Sequence, residues 1–122
     1  MEKYKIVAVD DAPFVCETLE SWLSVKYDIK TFLSGKEALN YLKDTPVDLI
    51  LLDYDMPELT GYEVLMGIRG VNNVNHNKPV VFLTAVTNER MEVEMLERGA
   101  NDYIRKPLDM TLLKDTISKY LK

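Results

Sequence analysis

Carboxylates close two of the most apolar stretches in this chain. Ile6-Val7-Ala8-Val9 runs into Asp10-Asp11, and Leu49-Ile50-Leu51-Leu52 runs into Asp53-Tyr54-Asp55. Two other runs end on groups that complement an acid. Val80-Val81-Phe82-Leu83 reaches Thr84-Ala85, and Tyr103-Ile104-Arg105 reaches Lys106-Pro107. If the first two runs are neighbouring strands, Asp10, Asp11 and Asp53 converge on one small volume. Two like charges about 4 Å apart repel by about 4 kcal/mol at an effective dielectric of about 20, so such a cluster calls for counterions. Hard oxygen ligands gathered this way suit Mg2+, which takes a few carboxylates and keeps several waters. Lys106 would add a second positive charge and Thr84 a hydroxyl. A cation, a lysine, a hydroxyl and one poised carboxylate suit the making of an aspartyl phosphate. Aspartate attacks phosphoryl groups in phosphoenzymes, and phosphoryl transfer needs mainly positioning and charge neutralisation.

Each of these residues also has an ordinary explanation. Asp11 alone would be read as a helix N-cap, and Asp55 as a turn residue. Thr84 alone is a common strand residue, Tyr103 a half-buried strand aromatic, and Lys106 a solvated lysine. Asp53 fits no cap, because Pro57 stands between it and the next helix. Taken together, with every one of them at a strand tip, the ordinary explanations give way to a site.

The elements that must position these groups alternate along the chain. Strand-like runs cover 4–9, 28–33, 48–53, 79–84 and 101–105. Between and after them, helical periodicity predicts helices over 13–27, 36–44, 62–70, 88–99 and 109–122. Val15, Leu19, Trp22 and Leu23 share one face of the first helix, and Leu113, Ile117 and Tyr120 one face of the last. Thr60 and Asn88 are N-cap candidates, Gly99 closes the fourth helix, and Pro46 bars the second from continuing. Val71-Asn72-Asn73-Val74-Asn75-His76-Asn77 reads as a polar loop, with His76 solvated. The methionines read first as gap-fillers rather than a partner groove, with exposure of Met91 and Met95 on the fourth helix as the alternative, and Cys16 reads as a small apolar helix residue. Five βα units with apolar strands imply a parallel sheet with helices on both faces. Ligand sites in such sheets lie beyond the carboxyl ends of the strands.

Composition narrows the classes. The chain has 122 residues, 47% hydrophobic and 29% charged, which suits one ordinary globular domain. A net charge of −5 speaks against a nucleic-acid binder, which would show a basic face. One cysteine rules out an intrachain disulfide, and one cysteine with one histidine cannot build a structural zinc site. The lack of a disulfide framework makes a reducing, cytoplasmic setting the expectation, and the N-terminus reaches charge too soon for a signal peptide or a membrane span.

Five stretches together make the chain resemble the receiver domain of two-component response regulators, the CheY-like family. They are VDD at 9–11, SGKEAL at 34–39, DLILLDYDMPELTGYEVL at 48–65, PVVFLTA at 79–85 and GANDYIRKPL at 99–108. The pattern Asp-x-x-Met-Pro-x-x-x-Gly at 53–61 is specific, and the likeness runs over essentially all of 1–122. It implies a flavodoxin-like (βα)5 fold with strand order 2-1-3-4-5, a single receiver domain over 1–122, and no output domain within it. It implies that Asp53 accepts a phosphoryl group from a sensor histidine kinase or a histidine phosphotransfer protein. By the same resemblance, Asp11 is a direct Mg2+ ligand, Asp10 acts largely through water, and Asp55 lends its backbone carbonyl. Thr84 turns toward the new phosphoryl oxygens, Lys106 pairs with them, and Tyr103 moves inward as Thr84 shifts. The Lys106-Pro107 peptide is expected to be cis. The output is expected at the face formed by helix 4, strand 5 and helix 5, roughly 88–121. There the family meets a downstream effector or output domain, or forms a phosphorylation-dependent homodimer. Such a chain is a phosphoacceptor switch, without direct nucleic-acid or membrane binding, and not an enzyme with a turned-over substrate.

Ala12 departs from the polar or acidic residue usual beside the acid pair, and Asp55 and Val86 occupy the positions that tune phosphoryl lifetime. Two other families share part of the pattern. Haloacid-dehalogenase-like phosphohydrolases also use Asp-x-Asp with Mg2+, but carry it on the first strand and need a longer chain. A flavodoxin-like FMN binder needs a Ser/Thr/Gly phosphate loop after the first strand, where this chain has Asp10-Asp11-Ala12-Pro13. A degenerate receiver that only binds partners is disfavoured by the intact Asp53, Thr84 and Lys106.

Overall fold

Alternating apolar runs and amphipathic helices produce ten elements in a computed structural model that describes residues 3–85 and 88–121. The strands are β1 (Lys5–Val9), β2 (Asp28–Phe32), β3 (Leu49–Asp53), β4 (Val80–Thr84) and β5 (Asp102–Arg105). The helices are α1 (Pro13–Leu23), α2 (Gly35–Leu42), α3 (Gly61–Ile68), α4 (Glu89–Glu97) and α5 (Met110–Tyr120). All pairings are parallel and the strand order is β2-β1-β3-β4-β5, the flavodoxin-like sheet that the resemblance implied. β3 lies at its centre. Every residue of β3 and β4 is buried, which explains why their sequences are apolar without alternation.

Side chains alternate across the strands and feed two cores. On one face, Val7, Val9, Ile50, Leu52, Val80 and Phe82 pack with α2, α3 and Met95 of α4. On the other, Ile6, Ala8, Leu49, Leu51, Val81 and Leu83 pack with Leu19 and Leu23 of α1 and Leu113 and Ile117 of α5. Val15, Trp22 and Tyr120 join this second core, as their helical spacing predicted. Cys16 is buried.

Several boundaries shift. α1 ends at Leu23 rather than at 27, because the Ser24 and Tyr27 amides bond back to Glu20 and Leu23 and turn the chain into β2. α2 ends at Leu42, short of Pro46. α3 starts with a capping box, in which the Thr60 hydroxyl accepts from Glu63 N–H and the Glu63 carboxylate from Thr60 N–H. The Asn88 side chain caps α4, and Gly99 follows its last turn at φ +112°, a left-handed conformation that suits glycine. Met95 is buried and Met91 packs against the core, in keeping with gap-filling and against the alternative that the two are exposed.

The end of the sheet opposite the acidic tips is the larger departure. His76 is exposed as expected, but the asparagine-rich loop around it is not simply solvated. Asn75 is fully buried. Its amide donates to the Leu42 and Thr45 carbonyls at 2.8 and 2.9 Å, and its Oδ1 accepts from Val47 N–H at 2.9 Å. Arg69, just past α3, donates to the carbonyls of His76, Lys78 and Gly99 and to Asn101 Oδ1. Two side chains thus tie together the loops entering β3, β4 and β5.

Candidate functional site

Backbone bonds running past the strand ends hold the tips in place. Asp10 N–H donates to Phe32 O at 3.1 Å, Tyr54 N–H to Leu83 O at 2.9 Å, and Lys106 N–H to Thr84 O at 2.7 Å. The tips of β1, β3, β4 and β5 are therefore in lateral register where the candidate residues stand. The turn after β3 folds back on itself: Gly61 N–H donates to Tyr54 O at 3.0 Å. A Cβ on Gly61 would collide with the Asp53 carbonyl and lie 2.7 Å from Tyr54 Cα. The glycine of Asp-x-x-Met-Pro-x-x-x-Gly is thus required by close backbone approach beneath Asp53. Met56 tucks into the core, and Glu58 takes a left-handed φ of 66° to complete the turn.

Asp10, Asp11 and Asp53 each present a carboxylate oxygen within 4.8 Å of the others. Asp10 is fully buried and Asp53 is 3% exposed, whereas Asp11 is exposed at the rim. Both Asp10 oxygens are engaged: Oδ1 accepts from Ala12 N–H at 3.0 Å, and Oδ2 from Lys106 Nζ at 2.8 Å. Lys106 also donates to Asp53 Oδ1 at 3.2 Å, so one ammonium bridges two buried carboxylates. Asp11 is not a cap, since α1 begins after Ala12 with no side-chain cap and with Pro13 in its first turn.

The electrostatics follow from this crowding. Burial and the adjacent Asp10 charge push the Asp53 carboxyl up to about 7, against a partial opposing effect of Lys106. Burial alone would lower the Lys106 ammonium, but its bonds to Asp10 and Asp53 outweigh that and hold it above its ordinary value. One lysine against three carboxylates leaves negative charge uncompensated. The donor set is all carboxylate oxygen, two of it buried and one at an open rim, which fits a small hard cation such as Mg2+. Asp10, Asp11 and Asp53 are the side chains that would hold it.

Thr84 ends β4 and is buried, one strand over from Asp53. Tyr103 is half-buried on β5, packed against the core that contains Phe82, with its hydroxyl bonded to Glu92 of α4 and not to the carboxylate cluster. Asp55 lies outside the acidic cluster with its side chain exposed. Val86 lies outside the described residues. The Lys106–Pro107 peptide is cis. The sequence reading did not single out Glu92 or Arg105, which are joined at 2.6 and 2.9 Å. A signal existed: Glu92 falls three residues before Met95, on the inward stripe of α4, where a charge demands a partner.

Comparisons with known proteins agree with this arrangement. A family model described as the response regulator receiver domain matches residues 6–118. A probable cyclic di-GMP phosphodiesterase of Vibrio cholerae is 40% identical over 96% of this chain but only 26% of its own length. The chain spans between 26% and 50% of the length of the first curated relatives it matches. Among solved structures, chemotaxis protein CheY4 of Vibrio cholerae superposes with a TM-score of 0.90 at 28% identity, covering 98% of this chain and 99% of that one. The receiver domain of a sensor histidine kinase of Pseudomonas aeruginosa superposes at 0.84, also at 28% identity, covering 97% of each chain. That structure is described with a magnesium ion coordinated in its active-site cleft. Among the described residues, no helix is long and apolar enough to cross a membrane.

Proposed function

Because this chain belongs to the response regulator receiver domain family, we propose that it is a phosphorelay switch that accepts a phosphoryl group on Asp53. The observation that carries the reading is the buried Asp53 carboxylate, crowded by Asp10 and Asp11 and bridged to Asp10 by Lys106. The donor is a phosphohistidine on a histidine kinase or a phosphotransfer protein. An Asp53 oxygen forms the new bond to phosphorus as the phosphorus–nitrogen bond breaks, and the donor imidazole leaves with the electron pair and takes up a proton. Lys106 partly offsets the burial and the Asp10 charge that disfavour the ionised, attacking form of Asp53, and then neutralises the added negative charge. Mg2+ held by Asp10, Asp11 and Asp53, with the Asp55 carbonyl, would supply Lewis-acid neutralisation of the phosphoryl oxygens.

The switch is a population shift. A phosphoryl group brings added charge and strong acceptor oxygens. Thr84 and Lys106 bind these better in one conformer, and Tyr103 carries the difference to the face made by α4, β5 and α5. A ligand moves such a balance only by its differential affinity for the two states. The partner on that face is a separate effector, a further domain or a second copy, and no direct nucleic-acid or membrane contact is expected of a cytoplasmic chain with this charge.

The test is intact-protein mass after incubation with acetyl phosphate, with and without Mg2+. One phosphoryl group, dependent on Mg2+ and absent from Asp53→Asn, is the expected result. An Asp53→Asn protein that still gains the group would overturn the acceptor assignment.

A further inference from the structure

Outside the acidic cluster, one carboxylate among the described residues is buried and has no part in the phosphoryl chemistry. It is Glu92 of α4, 4% exposed. Both its oxygens are occupied by β5. Oε2 accepts from Arg105 Nε at 2.6 Å, and Oε1 accepts from Arg105 Nη2 at 2.9 Å and from the Tyr103 hydroxyl at 3.1 Å. Tyr103 and Arg105 are two apart on the strand and so share a face. The guanidinium fork fixes the plane of the carboxylate, and the carboxylate in turn fixes the phenol. Hydrogen bonding to Arg105 holds Glu92 below its ordinary value, and the bond to Glu92 raises the Tyr103 phenol, so the contact is between a firm anion and a protonated phenol. The three residues line a shallow surface cleft with Glu89, Val93 and Leu96, on the face assigned to output.

We propose that the Arg105–Glu92 pair is a latch that holds Tyr103 against α4 in the unphosphorylated chain and sets the basal balance of the switch. The proposal rests on the reading of Tyr103 as the residue that moves. A bond made in only one conformer stabilises that conformer. Its removal must raise the affinity of any ligand that prefers the other, by linkage.

The test uses beryllofluoride with Mg2+, a mimic of the phosphoryl group, titrated into the full chain and followed by fluorine NMR. Glu92→Ala should bind it about three- to tenfold more tightly than wild type. Glu92→Gln keeps an acceptor for the phenol but loses the ion pair, and should fall between. In a Tyr103→Phe background, Glu92→Ala should add nothing, because the hydroxyl through which it acts is gone. Thermal unfolding shows which variants are folded, and Glu92→Gln decides if Glu92→Ala is not. Unchanged or weaker binding by the folded variant overturns the latch. So does an equal gain in the Tyr103→Phe background, which a purely structural role of Glu92 would give. If folded wild type fails to bind beryllofluoride at all, the phosphoacceptor reading falls and takes the latch with it. Normal wild-type binding with inert variants overturns the latch alone.

Discussion

Replacing Asp53 by asparagine should stabilise this protein, and the gain should grow with pH. Asp53 titrates near 3.8 in an unfolded chain and is pushed up to about 7 in the fold by burial and by Asp10. A raised folded value means that the stability tied to this group is fully present below pH 3.8. It is lost as pH rises through about 7, where the folded chain must hold a charge it disfavours. At about 1.36 kcal/mol per unit, the full displacement corresponds to a ceiling of about 4 kcal/mol. The open rim, marked by exposed Asp11, lets solvent screen the site and brings the expected effect to about 1–2 kcal/mol. The Asp53→Asn side chain carries no charge at any pH, so only wild type loses this stability. Titrating groups remote from Asp53 are common to both proteins and cancel in the difference, while Lys106, which bonds to Asp53, is charged at both pH 5 and pH 8.

The assay is urea unfolding of both proteins in EDTA at pH 5 and at pH 8. The difference in unfolding free energy, variant minus wild type, should rise by about 1–2 kcal/mol between the two, or several degrees in midpoint temperature. Addition of Mg2+ at pH 8 should then narrow the gap, because a cation bound to the three carboxylates stabilises wild type by mass action and finds a weaker site in the variant. Parallel pH profiles would refute the electrostatic account of Asp53. A gap that Mg2+ leaves unchanged would refute the cation site.

Lys106→Ala should cost about 1–3 kcal/mol at pH 8 in EDTA, since it leaves Asp10 and Asp53 without their shared ammonium. Much of this should return at pH 5, where Asp53 takes a proton; urea unfolding at both values checks it. Gly61→Ala should lose about 2–3 kcal/mol and most acetyl-phosphate labelling, because its methyl group meets the backbone at Asp53 and Tyr54. Asn75→Ala should lose about 2–4 kcal/mol in urea while labelling normally, because it orphans Val47 N–H and the Leu42 and Thr45 carbonyls far from the site. Thr84→Ala should still label on Asp53, while hydrogen exchange in α4 no longer responds to beryllofluoride.

How much of this was legible in the sequence depended on whether the signal was local. The sheet was legible because Leu49–Asp53 and Val80–Thr84 are apolar at every position but the last, and only a central parallel strand asks for that. The carboxylates were legible because each terminates such a run, so that topology alone brings them together. The end of α1 was not legible: Ser24-Val25-Lys26 contains no helix breaker, and the turn forms because the Tyr27 side chain is buried and its amide bonds to Leu23. Asn75 was misread for a stronger reason. A polar residue in a polar loop is ordinarily solvated, and its burial arises only where the loop after α3 meets the turn between α2 and β3, 30 residues earlier.

The two ends of the sheet therefore answer to opposite demands. At the N-terminal ends of the strands, Arg69 and Asn75 satisfy carbonyls and amides from several loops at once, so that end has little reason to rearrange. At the C-terminal ends, three carboxylates crowd together with one lysine bridging two of them, and burial and Asp10 push the Asp53 carboxyl up to about 7. An arrangement that is strained in charge while its backbone stays tied responds strongly to any group that changes the charge. Under the proposed switch, the response would be confined to the tips of β4 and β5 and the start of α4. Glu92, Tyr103 and Arg105 stand at that boundary, linking α4 to β5 by three hydrogen bonds, the Arg105 Nε bond to Glu92 the shortest at 2.6 Å. If α4 and β5 move in the proposed switch, a few specific contacts between them favour two discrete states, where many weak ones would give a gradual drift.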